Sequence, residues 1–279
     1  MHYPALLSSI FLLLVNILFY SCIDVRNTSE DHNKTVKDSP SLREYSVQSV
    51  LWQQHAAEYR ALAYQAFNLA GYRLEDILQQ EQQGKKPMAI ITDIDETVLD
   101  NSRFNAKLIE EDVAYNKERW IKWAKQINAE PVPGSQEFFN HVKDKGVEVF
   151  YISNRFKANK ASTVKNLRKY DYPYADSAHI FLKDTTSGKQ PRHEKVLANY
   201  NVVLYLGDNL SDFHSSFDDK STQKRNQLVG SMKNKFGKKF IVFPNPMYGA
   251  WETDGIYDGK YDWTAAEKDS IRKAKLKAY

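Results

Sequence analysis

The sequence predicts an α/β fold, an open sheet whose strands alternate with helices. Apolar runs at Met88–Ile91, Val147–Ser153, Ala178–Leu182, Val202–Leu206 and Phe240–Phe243 have the length and composition of buried strands. Stretches with helical signals lie before and between them. Several runs pass straight into polar residues, as strands do where open α/β sheets bind ligands. The most pointed case is Met88–Asn101, MAIITDIDETVLDN.

The chain has 279 residues, 42% hydrophobic and 13% aromatic, which is enough for one sizeable domain with an insertion or for two small ones. Its formal net charge is +4, with the Lys/Arg excess in Lys220–Lys239 and Arg272–Lys277. So small an excess reads as a solvated face and does not argue for a nucleic acid polymer, which is not expected as a partner. Ala5–Tyr20 is an apolar run suited to a signal-peptide core. It ends at Ser21-Cys22, and Cys22 is the single cysteine, so no intrachain disulfide is available. The polar residues Ile23–Pro40 read as a flexible tether. The expected organisation is a signal segment over 1–22, a tether over 23–40 and a domain over 41–279.

In Ser41–Gln83, Ser41 and Glu44 have capping-box spacing. A broken apolar stripe from Val50 to Leu78 predicts one long helix or two, with Gly71 as a candidate break. Gln82–Pro87 ends this region, and Met88–Ile91 begins the domain's core. Strand alternation would bring Asp93 and Asp95 out together at the carboxyl end of that strand. Two like charges so close favour a neutralising cation, and an all-oxygen cluster suits Mg²⁺. Phe104–Val132 suggests a small helical insertion, followed by a helix over Gln136–Lys145 capped by Ser135. Val147–Ser153 ends in a hydroxyl, with Asn154 and Arg155 next, and Arg suits an oxyanion. Helix Lys160–Tyr170 and strand Ala178–Leu182 lead to a loop holding two candidate lysines, Lys183 and Lys189. Val202–Leu206 runs into GDNLSDF, where Gly207 permits a tight turn beside a ligand. PNPMYGAWE follows Phe240–Phe243, and Thr264–Lys277 reads as a closing amphipathic helix.

DIDETVLDN, YISNR, the Lys189/Arg192 pair, GDNLSDF and PNPMYGAWE together resemble the haloacid dehalogenase superfamily. Within it they are most similar to the class C acid phosphatases, the lipoprotein e family of surface 5′-nucleotidases. The resemblance implies a Rossmannoid three-layer sandwich with a small, mainly helical cap from about 41–83 and 104–132. It implies that Asp93 is the nucleophile and Asp95 the general acid and base. Ser153 would bind a phosphate oxygen with Asn154 and Arg155 beside it, and Lys189, ahead of Lys183, would neutralise the site. Mg²⁺ would be held by Asp93, the Asp95 backbone carbonyl and Asp208, with Asp212 orienting water or the lysine. Tyr248 would stack on a nucleobase, with Phe104, Trp120 and Trp123 as further aromatics. Phe104 departs from the family's usual Tyr. Ser21-Cys22 resembles a bacterial lipobox, which implies a lipid anchor on Cys22 and an outer-membrane lipoprotein of the cell envelope. The short leader lacks Lys and Arg before its apolar run, so a periplasmic or secreted form stays open.

The expected activity is Mg²⁺-dependent hydrolysis of small phosphate monoesters, nucleoside 5′-monophosphates first among them. A phosphotransferase using the same intermediate is one alternative. A surface ligand-binding lipoprotein with a vestigial site is the other. Asp95 argues against a dehalogenase, which has no leaving alcohol to protonate. The sequence does not reach the oligomeric state.

Overall fold

The structure, a computed structural model, describes residues 41–80 and 86–279, which belong to one unit, Ser39–Tyr279. The signal segment, Cys22 and the tether lie outside the described residues. Among the described residues no helix is long and apolar enough to cross a membrane.

Helices α1 (Val47–His55) and α2 (Ala57–Gln80) lead into strand β1 (Met88–Thr92). An insertion follows: β2 (Leu99–Asp100), α3 (Ser102–Glu110), α4 (Lys117–Lys125) and β3 (Glu130–Pro131). Then come α5 (Ser135–Asp144), β4 (Glu148–Phe156), α6 (Lys160–Lys169), β5 (Ile180–Lys183) and α7 (Gln190–Leu197). The chain closes with β6 (Asn201–Gly207), α8 (Thr222–Ser231), β7 (Phe240–Val242), α9 (Ala250–Thr253) and α10 (Ala265–Lys275).

The five-stranded sheet has the order β5-β4-β1-β6-β7, with every pairing parallel. The chain leaves β1 toward β4 and later crosses to β6 on its other side. The carboxyl end of β1 is therefore the switch point, where such sheets hold ligands. Strand alternation divides the core into two layers. Ile90, Val149, Tyr151, Leu204 and Leu206 pack under α2 and α5, against Phe67, Leu74 and Phe139. Ala89, Ile91, Phe150, Ile152 and Tyr205 face the other way, against Val196 of α7 and Phe213. This is the three-layer sandwich the sequence predicts.

Several local expectations change in the fold. The helical region breaks at Ala56, whose ψ is 124°, while Gly71 sits inside an unbroken α2. The Ser41 hydroxyl donates to Asp112 at 2.7 Å rather than capping a helix. The Ser135 hydroxyl meets the Val132 carbonyl at 2.6 Å and the Tyr172 hydroxyl, so Gly134 stands as the α5 N-cap. Strand β4 runs on to Phe156 and carries Asn154 and Arg155 within it. The antiparallel pair β2–β3 closes the insertion at its base. Thr264 and Glu267 form a capping box on α10, as its sequence suggests.

Candidate active site

Three chain segments meet at the carboxyl end of β1. Asp93 follows β1 directly, and its amide continues the sheet by donating to the Leu206 carbonyl at 2.9 Å. Asp208 follows β6. Asp212 lies one short turn later, fixed by the Asn209 amide, which donates to its Oδ2 at 2.9 Å. Carboxylate oxygens of Asp93, Asp208 and Asp212 all lie within 4.8 Å of one another.

Lys189, the N-cap residue of α7, reaches into this cluster and is buried. Its Nζ donates to Asp93 Oδ1 and pairs with Asp212 Oδ1 at 2.7 Å. Lys183 instead places its ammonium over the Phe156 ring, 5.4 Å from the centroid. Of the two lysines, Lys189 is the one the fold brings to the carboxylates. Burial opposes the charge on Lys189, but Asp212 and Asp93 outweigh it and raise its pKa above the usual lysine value. Asp93 is pushed up to about 7, chiefly by burial and then by Asp212 and Asp95, against the pull of Lys189. Burial, with Asp212 and Asp93, also holds Asp208 well above the usual carboxylate range. Buried carboxylates that repel one another and offer only oxygen fit a hard divalent cation.

Asp95 lies beyond the end of β1, so strand alternation does not govern it, and its carboxylate turns away from this cluster. The chain doubles back there. The Val98 and Leu99 amides both donate to the Ile94 carbonyl at 2.8 Å, and Glu96 takes a left-handed φ of 64°. Asp95 Oδ1 accepts from Arg155 Nε at 2.9 Å and Asn101 Nδ2 at 2.9 Å. Asp95 Oδ2 accepts from the Ser153 hydroxyl at 3.1 Å. The two carboxylates therefore have separate cations, Lys189 for Asp93 and Arg155 for Asp95. The sequence assigns Ser153, Asn154 and Arg155 to phosphate. In the fold Ser153 and Arg155 are buried on Asp95, while Asn154 is exposed on the cleft. Its Oδ1 is held by Arg192 Nη2 at 2.7 Å. Arg192 also donates to the Ser153 carbonyl at 2.6 Å and so ties β4 to the loop before α7.

Tyr248 lines the same cleft, and its hydroxyl donates to Glu96 Oε1 at 2.8 Å. Gln53 of α1 donates to Glu96 Oε2 at 2.8 Å. The cleft has a volume of about 920 Å³, and Tyr115 and Trp120 of the insertion line its rim with Phe104. Trp120 and Phe104 pack edge to face at 5.1 Å. Trp123 turns inward to Asn101.

Sequence reasoning passed over Asn101, Glu96, Asn245 and Tyr115 as site residues. Asn245 Nδ2 donates to Asp208 Oδ2 at 2.8 Å, while its Oδ1 accepts the Met247 amide at 2.9 Å. An asparagine flanked by prolines in PNPMYGAWE was the available signal. Asn101 read only as part of a turn.

The family described as HAD superfamily, subfamily IIIB (Acid phosphatase), matches residues 10–251. The class C acid phosphatase from Bacillus anthracis is 42% identical, with a TM-score of 0.82, over 86% of this chain and 100% of that one. A second structure of the Bacillus anthracis enzyme, with tungstate bound, matches at 41% identity and a TM-score of 0.82 over the same shares. This chain belongs to the subfamily IIIB acid phosphatases of the HAD superfamily and is a phosphoric monoester hydrolase.

Proposed function

We propose that the enzyme hydrolyses nucleoside 5′-monophosphates with Mg²⁺, through a phosphoryl group carried on Asp93. The observation that carries this reading is the buried Asp93–Lys189–Asp212 array beside Asp208. Asp93, Asp208 and the Asp95 backbone carbonyl would hold the ion, which supplies positive charge against the phosphate oxygens.

Lys189 holds Asp93 in place and adds a fixed positive charge where the phosphoryl oxygens would lie. A carboxylate oxygen of Asp93 attacks phosphorus, and the bond from phosphorus to the ester oxygen breaks. Asp95 gives its proton to that leaving oxygen. It then takes a proton from the water that attacks phosphorus, which releases phosphate and restores Asp93. Asp212 orients Lys189 through their 2.7 Å ion pair. Asn154 is exposed on the cleft where the phosphate would enter, while the buried Ser153 hydroxyl donates to Asp95 Oδ2.

The nucleotide preference is supported by the cleft's aromatic lining. Tyr248 and the Trp120–Tyr115 wall offer ring faces on which a base can stack. The tungstate held by the Bacillus anthracis enzyme is an oxyanion like phosphate, which agrees with the site's chemistry. We also propose that Cys22 carries a lipid anchor that places the enzyme in the cell envelope.

The test is phosphate release from a 5′-nucleotide and from a plain aryl phosphate, each with Mg²⁺ and with EDTA. Mg²⁺-dependent release, faster from the nucleotide, is expected. Equal rates on both would remove the nucleotide preference. Undiminished release in EDTA would remove the metal.

A further inference from the structure

The insertion reaches the proton donor through two residues that the mechanism above does not use. Asp95 Oδ1 accepts from Arg155 Nε at 2.9 Å and from Asn101 Nδ2 at 2.9 Å, and Arg155 Nη2 lies 2.8 Å away as an ion pair. Three nitrogen donors crowd an oxygen that has two lone pairs. Among the described residues Oδ2 meets one hydrogen-bond partner, the Ser153 hydroxyl at 3.1 Å, so Oδ2 is the oxygen left to exchange a proton with substrate.

A carboxamide oxygen and nitrogen are nearly the same size, so an asparagine needs a partner to settle which way it faces. For Asn101 that partner is Trp123 of α4. Its indole N–H, which can only donate, points at Asn101 Oδ1 from 2.9 Å. A flipped amide would set N–H against N–H there and oxygen against the Asp95 carboxylate. The second hydrogen on Asn101 Nδ2 goes to the Leu99 carbonyl at 3.2 Å. Every polar group of the amide is therefore committed. Asn101 is fully buried and Trp123 is 9% exposed, so water has little room to replace either bond. The indole is held in turn by the Phe104 ring, stacked at 6.3 Å.

We infer that Asn101 and Trp123 are positioning residues for Asp95: the indole sets the amide, and the amide sets the carboxyl so that Oδ2 faces the leaving oxygen. The inference rests on Asp95 being the proton donor, as proposed above. As the Asp93 oxygen–phosphorus bond forms, the phosphorus–ester bond breaks and the Oδ2 proton moves to the departing oxygen. A leaving group that is stable as an anion has little use for that proton, and a basic one depends on it. Misaiming Asp95 must therefore slow basic leaving groups selectively.

The experiment compares phenyl phosphate with 4-nitrophenyl phosphate, which share a ring and differ in leaving-group basicity. kcat/KM is measured for wild type, Trp123→Phe, Asn101→Ala and Asp95→Asn, each as the whole protein with Mg²⁺. Trp123→Phe keeps a ring and removes the N–H. It should lose roughly fivefold more on phenyl phosphate than on the nitrophenyl ester, part of the 10²–10⁴ that a positioned acid supplies. Asn101→Ala should lose more than that, in the same sense. A loss by Trp123→Phe that is equal on both esters, or no loss on either, would reduce Trp123 to a packing residue and overturn the inference. Asp95→Asn is the control for the reading beneath it. If that variant shows no difference between the esters, the assignment of Asp95 fails, and the inference falls with it for that separate reason.

Discussion

Replacing His193 with phenylalanine should make this acid phosphatase less sensitive to acid. His193 lies in α7, one turn beyond Lys189, and is 3% exposed. Its ring packs on Tyr205 at 5.5 Å, and its Nε2 is buried with no hydrogen-bond partner among the described residues. Burial, then Lys189, Arg192 and His214, drive its pKa from the ordinary 6.5 down to about 3. Between those values the unfolded chain binds a proton that the folded chain refuses. Stability therefore rises with pH across this window and is lost as pH falls below 6.5. At pH 5 the unfolded side is favoured by about 2 kcal/mol relative to pH 7. That figure depends on the unfolded value and hardly on the folded one, which lies well below pH 5. For a chain of this size it amounts to a fall in Tm of roughly 4–8 °C. The assay is the thermal unfolding midpoint at pH 7 and pH 5 for wild type and His193→Phe, read as the difference between pH values so that any packing cost cancels. The wild type should lose several degrees more than the variant. Equal losses in the two proteins would refute the reasoning.

Lys189→Met leaves Asp93 and Asp212 buried without their shared cation. It should lower kcat by roughly 10²–10³ and stability by ~3–5 kcal/mol, read by phosphate release and denaturant unfolding. Gly207→Ala would put a Cβ 2.5 Å from Asp212 Cβ and Oδ2. Asp212 must move and Lys189 with it, so near-complete loss of activity in a folded protein is expected, and an active variant would count against the Lys189–Asp212 arrangement. Tyr248→Phe removes one of the donors that hold the buried Glu96 and should cost about 1–3 kcal/mol of stability. It keeps the ring, so the preference for a nucleotide over an aryl phosphate should survive in it and shrink in Tyr248→Ala.

The central strands β1, β4 and β6 were legible in the sequence because each carries a short apolar run buried on both faces, and burial on both faces removes any need for a second signal. Asp93 and Asp208 were legible because they sit immediately after β1 and β6. What stayed hidden is tertiary. Ser41 and Ser135 carry cap-like chemistry, but Asp112 and the Val132–Tyr172 pair claim their hydroxyls. Gly71 is tolerated inside α2, while Ala56, with no breaking tendency of its own, marks the bend. Arg155 looks like an oxyanion ligand from its place in the chain. The fold brings Asp95 beside it, and that is visible only once β1 and β4 are paired. Asn101 and Trp123 are ordinary turn and helix residues until the insertion folds back over the loop after β1.

The central claim is that Asp93 carries the phosphoryl group. The direct test is to quench the enzyme in acid during turnover of a labelled 5′-nucleotide with Mg²⁺ and locate the label. The account predicts a hydroxylamine-sensitive phosphoryl group on the peptide that contains Asp93, with neither label nor activity in Asp93→Asn. Steady turnover with no label on that peptide, or activity retained by Asp93→Asn, would contradict it.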